Sequence, residues 1–149
     1  MDRIENAISK GLFVDAINFC QNIELRPGSL PQQASGKFYS LYIVSLLIVG
    51  DIEEARYLWL RAPSNIKDSC ADFSSLWNIT VELRNVDMKG AHAAAKSAVF
   101  SPDIAILVEV LKERIRVDEV CDISDCRIYL RLTLYYHMLT RFSLLLIIS

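Results

Sequence analysis

Between Phe38 and Val49 the chain presents twelve residues of which only Ser40 and Ser45 are polar. A helix over this run has no face left for water, so it must be covered on all sides. It is too short to cross a bilayer and suits the centre of a globular core. Gly50 can take the left-handed conformation that ends a helix. Asp51, with Glu54 three residues on, reads as a capping box opening the next helix. In that second helix Ile52, Ala55, Leu58, Trp59 and Ala62 share one face, while Glu53, Glu54, Arg56 and Arg61 lie largely on the other. Pro63 ends it, because proline disfavours helical geometry at Ala62 and has no N–H to donate. The stretch 38–62 thus predicts a helix hairpin against which the rest packs.

The flanking pattern is helical as well. Asp2 to Lys10 places Ile4, Ala7 and Ile8 on one side, with Gly11 as the stop. The next helix has an imperfect period, its apolar face drawn from Phe13, Ile17, Cys20 and Glu24 with Val14, Ala16 and Ile23. Residues 26–37, RPGSLPQQASGK, hold two prolines and two glycines and predict a loop. Beyond Pro63, SNIKDS makes a short connection with at most a turn of helix. From Asp72 the spacing of Phe73, Leu76, Trp77, Thr80 and Leu83 predicts a helix. After a break at Asn85 to Asp87, Asp87 is placed to cap an alanine-rich helix whose small side chains allow close packing. Ser101-Pro102-Asp103 has the form of a helix start, and the helix should run to about Val120 with Ile104, Leu107, Val108, Leu111 and Ile115 inward. No strand signal competes. The expected fold is all-α, a right-handed stack of antiparallel helix hairpins.

Composition narrows the chemistry. Apolar residues are 52% and charged residues 23% of the 149, a globular balance consistent with one buried core. A net charge of −2 gives no electrostatic case for nucleic acid or an anionic membrane. The N-terminal residues are polar and amphipathic, unlike a secretory signal, so the four cysteines are expected to be reduced thiols of an intracellular protein.

Several residues together resemble a known family. GDIEEARYLWLRAPSNIK contributes Ala55, Arg56, Tyr57, Leu58, Trp59, Arg61, Pro63, Ile66 and Lys67, followed by Leu76, Trp77 and Ser101. This pattern is similar to the family of the eighth, smallest subunit of the COP-nine signalosome, grouped with a small proteasome-lid subunit and subunit k of translation initiation factor three. The resemblance implies a PCI-type protein: a helical-repeat segment, a winged helix, and a C-terminal helix joining a bundle of subunit tails. It implies a non-catalytic scaffold, cytoplasmic and nuclear, in a complex that removes the ubiquitin-like modifier from cullins and so regulates cullin-RING ubiquitin ligases. Its partners would be the other subunits of that large complex. The family's metalloprotease lies in another subunit and needs a His-x-His with a distant Asp; His92 and His137 stand alone here. The resemblance covers roughly residues 1–116. Residues 117–149 depart from it as an apolar, helix-forming tail, with the winged helix missing or incomplete, as in a truncated isoform or a reading frame that has run into an intron or another frame.

No catalytic, cofactor, metal or small-molecule site is marked. Cys121 and Cys126 with His137 lack a fourth ligand, and Cys20 and Cys70 read as small core or half-buried residues. The tail from Ile128 to Ile148 approaches spanning length, but Arg131, His137 and Arg141 interrupt it, so a membrane anchor is disfavoured against a terminal helix. Trp59 belongs to the apolar stripe. Tyr57 falls off it, and with Arg56 and Arg61 forms the candidate partner surface. The competing functional class is a freestanding helical-repeat adaptor that holds a peptide in a groove.

Overall fold

A computed structural model of the chain describes residues 2–25 and 36–121, and every regular element in them is a helix. They are α1 (Asp2–Ser9), α2 (Phe13–Leu25), α3 (Gly36–Val49), α4 (Ile52–Arg61), α5 (Ser64–Ser69), α6 (Ala71–Arg84), α7 (Met88–Ser97) and α8 (Pro102–Cys121). The all-α expectation holds.

The apolar run forms α3, and each residue from Phe38 to Ile48 is buried. Four helices cover it: α2, α4, α6 and α8. Its two serines are neutralised within the helix, Ser40 Oγ donating to the Gly36 carbonyl (2.9 Å) and Ser45 Oγ to that of Leu41 (2.7 Å). Thr80 in α6 does the same with Leu76 (2.8 Å). A buried hydroxyl is tolerated only with such a partner. Nearest neighbours in sequence also pack, as α1 on α2, α6 on α7 and α7 on α8. The α3–α8 contact, however, joins helices that a nearest-neighbour stack would keep apart. It closes the array around α3.

The C-terminal end of α3 shows how that closure is made. Leu46 O accepts from the N–H groups of both Gly50 (2.8 Å) and Asp51 (3.0 Å), with Gly50 at φ +96°. Two more of the four carbonyls that a helix end leaves open are met from α8. Arg114 Nη1 donates to Leu47 O and to Ile48 O, each at 2.6 Å. A cation at this end also complements the helix dipole.

Several local expectations are refined. Asp51 does cap α4, accepting from Glu54 N (3.0 Å), but the Glu54 carboxylate turns to Arg61 (2.7 Å) instead of back to the cap. Half of the box is therefore formed. Asp87 caps α7 through Gly90 N (2.8 Å). SNIKDS is a full short helix, α5, anchored by buried Ile66. Val14 is 54% exposed, so the buried face of α2 is Phe13, Ala16, Ile17 and Cys20. Ser101 spends its hydroxyl on Asp72 of α6 (2.7 Å), where the sequence had it as a helix cap. All five residues expected inward on α8 are buried, and on its outer side Lys112 pairs with Glu109 (2.7 Å) and Arg116 with Glu113 (3.3 Å). α8 ends at Cys121, close to the Val120 expected from its pattern. The rest of the tail, with Cys126, His137 and the Ile128–Ile148 stretch, and most of the 26–37 loop lie outside the described residues. Among the described residues no helix is long and apolar enough to cross a membrane.

The joint at Gly50 can be tested. A Cβ there would strike the Arg114 guanidinium on a backbone already at positive φ. Gly50→Ala is expected to cost about 1–3 kcal/mol in urea unfolding. Arg114→Met, which strips the α3 carbonyls of their donor, should cost a similar ~1–3 kcal/mol. Changes within about 0.5 kcal/mol for both, the range of an ordinary surface substitution, would contradict this reading.

Candidate functional site

α4 serves two different surfaces. Its inner side puts Ala55 and Leu58 wholly inside, with Ala62 just beyond its end. Half-buried Trp59 stacks on Trp77 of α6 with ring centroids 4.9 Å apart and planes 4° from parallel. Trp59 also meets Phe73 (4.9 Å), which meets Tyr39 of α3 (5.6 Å), which meets Phe38 (5.4 Å). Lys67 of α5 places its ammonium 5.4 Å from the Trp59 ring centroid. This aromatic series links α3, α6, α4 and α5, and each ring pair adds about 0.5–1.5 kcal/mol beyond area burial. Its geometry is that of packing.

The outer side is different. Tyr57 is 50% and Leu60 59% exposed, and their i, i+3 spacing puts them on one face of α4. The Arg56 guanidinium lies 5.4 Å from the Tyr57 ring centroid and 3.6 Å from Glu53, which also sits 3.6 Å from Arg84 of α6. Arg56, Tyr57 and Leu60 thus form an aromatic and aliphatic surface with a cation above the ring, the residue types enriched at protein interfaces. Leu60 did not emerge from the sequence reading. Its signal was available, since it lies off the stripe that runs from Ile52 to Ala62.

Arg61 is placed otherwise. Its Nη2 donates to Glu54 (2.7 Å), to Glu24 of α2 (3.0 Å) and to the Tyr42 hydroxyl (3.5 Å). Burial pulls the Arg61 pKa down, but the bonds to Glu24 and Glu54 outweigh it and the net shift is upward. The side chain ties α2 to α4 and is committed within the molecule. Beneath it the Tyr42 phenol is pushed up, first by burial and then by Glu24.

The environment of Cys20 does not favour nucleophilic chemistry. Burial, then Glu24, pushes Cys20 up to about 12. Since the thiolate is the reactive form, Cys20 is inert packing near neutral pH. Cys70 is half-buried with Sγ 3.5 Å from Ser40 Oγ. His92 is half-buried on α7. Among the described residues no three His, Cys, Asp or Glu side chains are grouped to hold a metal ion.

The family model described as CSN8/PSMD8/EIF3K matches residues 33–123, from just before α3 to just past α8. The chain belongs to the CSN8/PSMD8/EIF3K family. Relatives include COP9 signalosome complex subunit 8 of Danio rerio, 30% identical over 60% of this chain and 46% of that protein. The Xenopus laevis protein of the same name is 28% identical over 63% of this chain and 47% of its own length. That of Dictyostelium discoideum is 24% identical over 85% of this chain and 68% of its length. The chain spans about half the length of the frog and zebrafish relatives. Of the twelve residues that carry the family likeness, half pack: Ala55, Leu58, Ile66 and Leu76 are buried, and Trp59 and Trp77 are the stacked pair.

Two outcomes follow from these placements. Trp59→Ala should destabilise the protein by about 2–3 kcal/mol, below the cost of a fully buried aromatic. It should also abolish the exciton couplet that two stacked indoles give in circular dichroism; a couplet surviving in the variant would contradict the stacking. The Cys20 thiol, raised from 9.0 to about 12 in the folded chain, stabilises the fold fully below pH 9 and loses that contribution between pH 9 and 12, as unfolding begins to release its proton. Stability should therefore fall across that window, and Cys20→Ala should fall less steeply; equal slopes would argue against a protonated buried thiol.

Proposed function

We propose that this chain acts as a non-catalytic scaffold subunit of the COP9 signalosome. In that complex, by the family resemblance, it would support removal of the ubiquitin-like modifier from cullins and so help regulate cullin-RING ubiquitin ligases, in both cytoplasm and nucleus. The observation that carries the proposal is the family match across α3–α8, joined to the relatives that bear the name of signalosome subunit 8. A chain with a packed helical scaffold and an aromatic and apolar outer α4 face is suited to binding other proteins. On this reading Arg56 and Tyr57, with Leu60, form a contact to a neighbouring subunit, and Arg61 holds α4 at the angle that presents them.

Size-exclusion of cell extract tests the proposal. The tagged chain should elute in a large fraction together with cullin-deconjugating activity; recovery only as a free monomer would contradict it. A Tyr57→Ala, Leu60→Asp double variant should move to the monomer position while its unfolding free energy changes by about 0.5 kcal/mol or less. If that variant keeps its place in the complex, the α4 face is not the contact.

A further inference from the structure

The connection between α7 and α8 holds a serine whose hydrogen bonds reach to another helix. Ser101 donates from Oγ to Asp72 Oδ2 (2.7 Å) and from its N–H to Asp72 Oδ1 (3.1 Å). Asp72 lies in the first turn of α6 and Pro102 opens α8, so one carboxylate clasps the N-terminal ends of both helices. The Ser101 carbonyl accepts from Ala105 N (2.8 Å), beginning the α8 ladder.

This connection is open to solvent. Ala98 is extended at φ −77° and ψ 145°, Val99 is 89% exposed, and Ser101, Pro102 and Asp103 are all exposed. The four prolines follow Arg26, Leu30, Ala62 and Ser101, so Ser101-Pro102 is the chain's single Ser-Pro or Thr-Pro pair. An exposed hydroxyl followed by proline, with extended chain leading to it, is the sequence form that proline-directed protein kinases accept.

We propose that Ser101 is a phosphorylation site for a proline-directed kinase, and that the phosphoryl group releases α6 from α8. Ser101 Oγ attacks the γ-phosphorus of ATP and loses its proton to the kinase's base; the bond to ADP breaks. The product lacks the hydroxyl donor that Asp72 accepts and sets nearly two negative charges against that carboxylate. Asp103, two residues on, adds to the repulsion, and its cationic neighbour Lys37 is shared with Glu5. The positive ends of α6 and α8 attract a phosphate, but as partial charges of about half a unit, spread over a turn. Asp72 is a full charge in contact, and its repulsion outweighs them. The proposal is independent of which complex the protein joins.

The test treats the full chain with a proline-directed serine/threonine kinase and ATP, maps the product by mass spectrometry and compares thermal unfolding. One phosphate on Ser101 is expected, with Tm lowered by about 3–8 °C and the loss reduced at high salt, which screens exposed charges. Ser101→Glu should lower Tm more than Ser101→Ala, and in an Asp72→Asn background the difference between them should shrink to less than about a third. No phosphate at Ser101, an unchanged or raised Tm on phosphorylation, or a Ser101→Glu penalty undiminished by Asp72→Asn would each overturn the proposal.

Discussion

A helix with no polar face obliges its neighbours to come to it. α3 buries all eleven residues from Phe38 to Ile48, so its stability comes from contact with α2, α4, α6 and α8 more than from its own propensity. The demand extends to its ends, where backbone groups and charges need partners. At the start, Lys37 bridges Glu5 of α1 (2.9 Å) and Asp103 of α8 (2.8 Å), its ammonium pushed up by those bonds, Asp103 first and then Glu5. At the finish, Arg114 reaches across from α8 to the last carbonyls. α8 therefore services both ends of α3. The exposed pair at the start contributes little energy, whereas the part-buried contact at the finish satisfies groups that water reaches poorly.

From this constraint comes the division of labour in α4. One side must cover α3 and α6, which fixes small Ala55 at the close approach and Trp59 in the aromatic series. The other side is released from packing and can carry Tyr57, Leu60 and Arg56 outward. Arg61 stands between these roles. Its bonds to Glu24 and Glu54 lock α4 against α2, so the orientation of the outer face depends on a buried scaffold and one arginine. The family likeness touches both sides of this division: Ala55, Leu58 and Trp59 belong to the packed side of α4, and Arg56 and Tyr57 to its outer face.

What the sequence made legible was local. The unbroken apolar run, the glycine at 50, the aspartates at 51 and 87 and the proline at 63 each act within a turn of chain, and each helix boundary they imply is observed. Distant pairings were not legible. Arg61 finds Glu24 37 residues away and Arg114 finds Ile48 66 residues away, and nothing in the linear pattern marks either pairing. Ser101 has the residue type of a helix cap, yet Asp72, 29 residues earlier, captures its hydroxyl. Val14 was misjudged because α2 carries apolar residues around more of its circumference than it buries. The candidate surface was half legible: an off-stripe tyrosine stood out, whereas its aliphatic neighbour Leu60 did not.

Amide hydrogen exchange, followed residue by residue under native conditions, bears most directly on the primacy of α3. If that helix is the element all others must cover, its amides from Phe38 to Ile48 can exchange only when the whole molecule unfolds, and their opening free energy should equal the global value from denaturant unfolding. Exchange in α3 as fast as in α1, at an opening free energy well below the global one, would show that the bundle does not depend on its central helix.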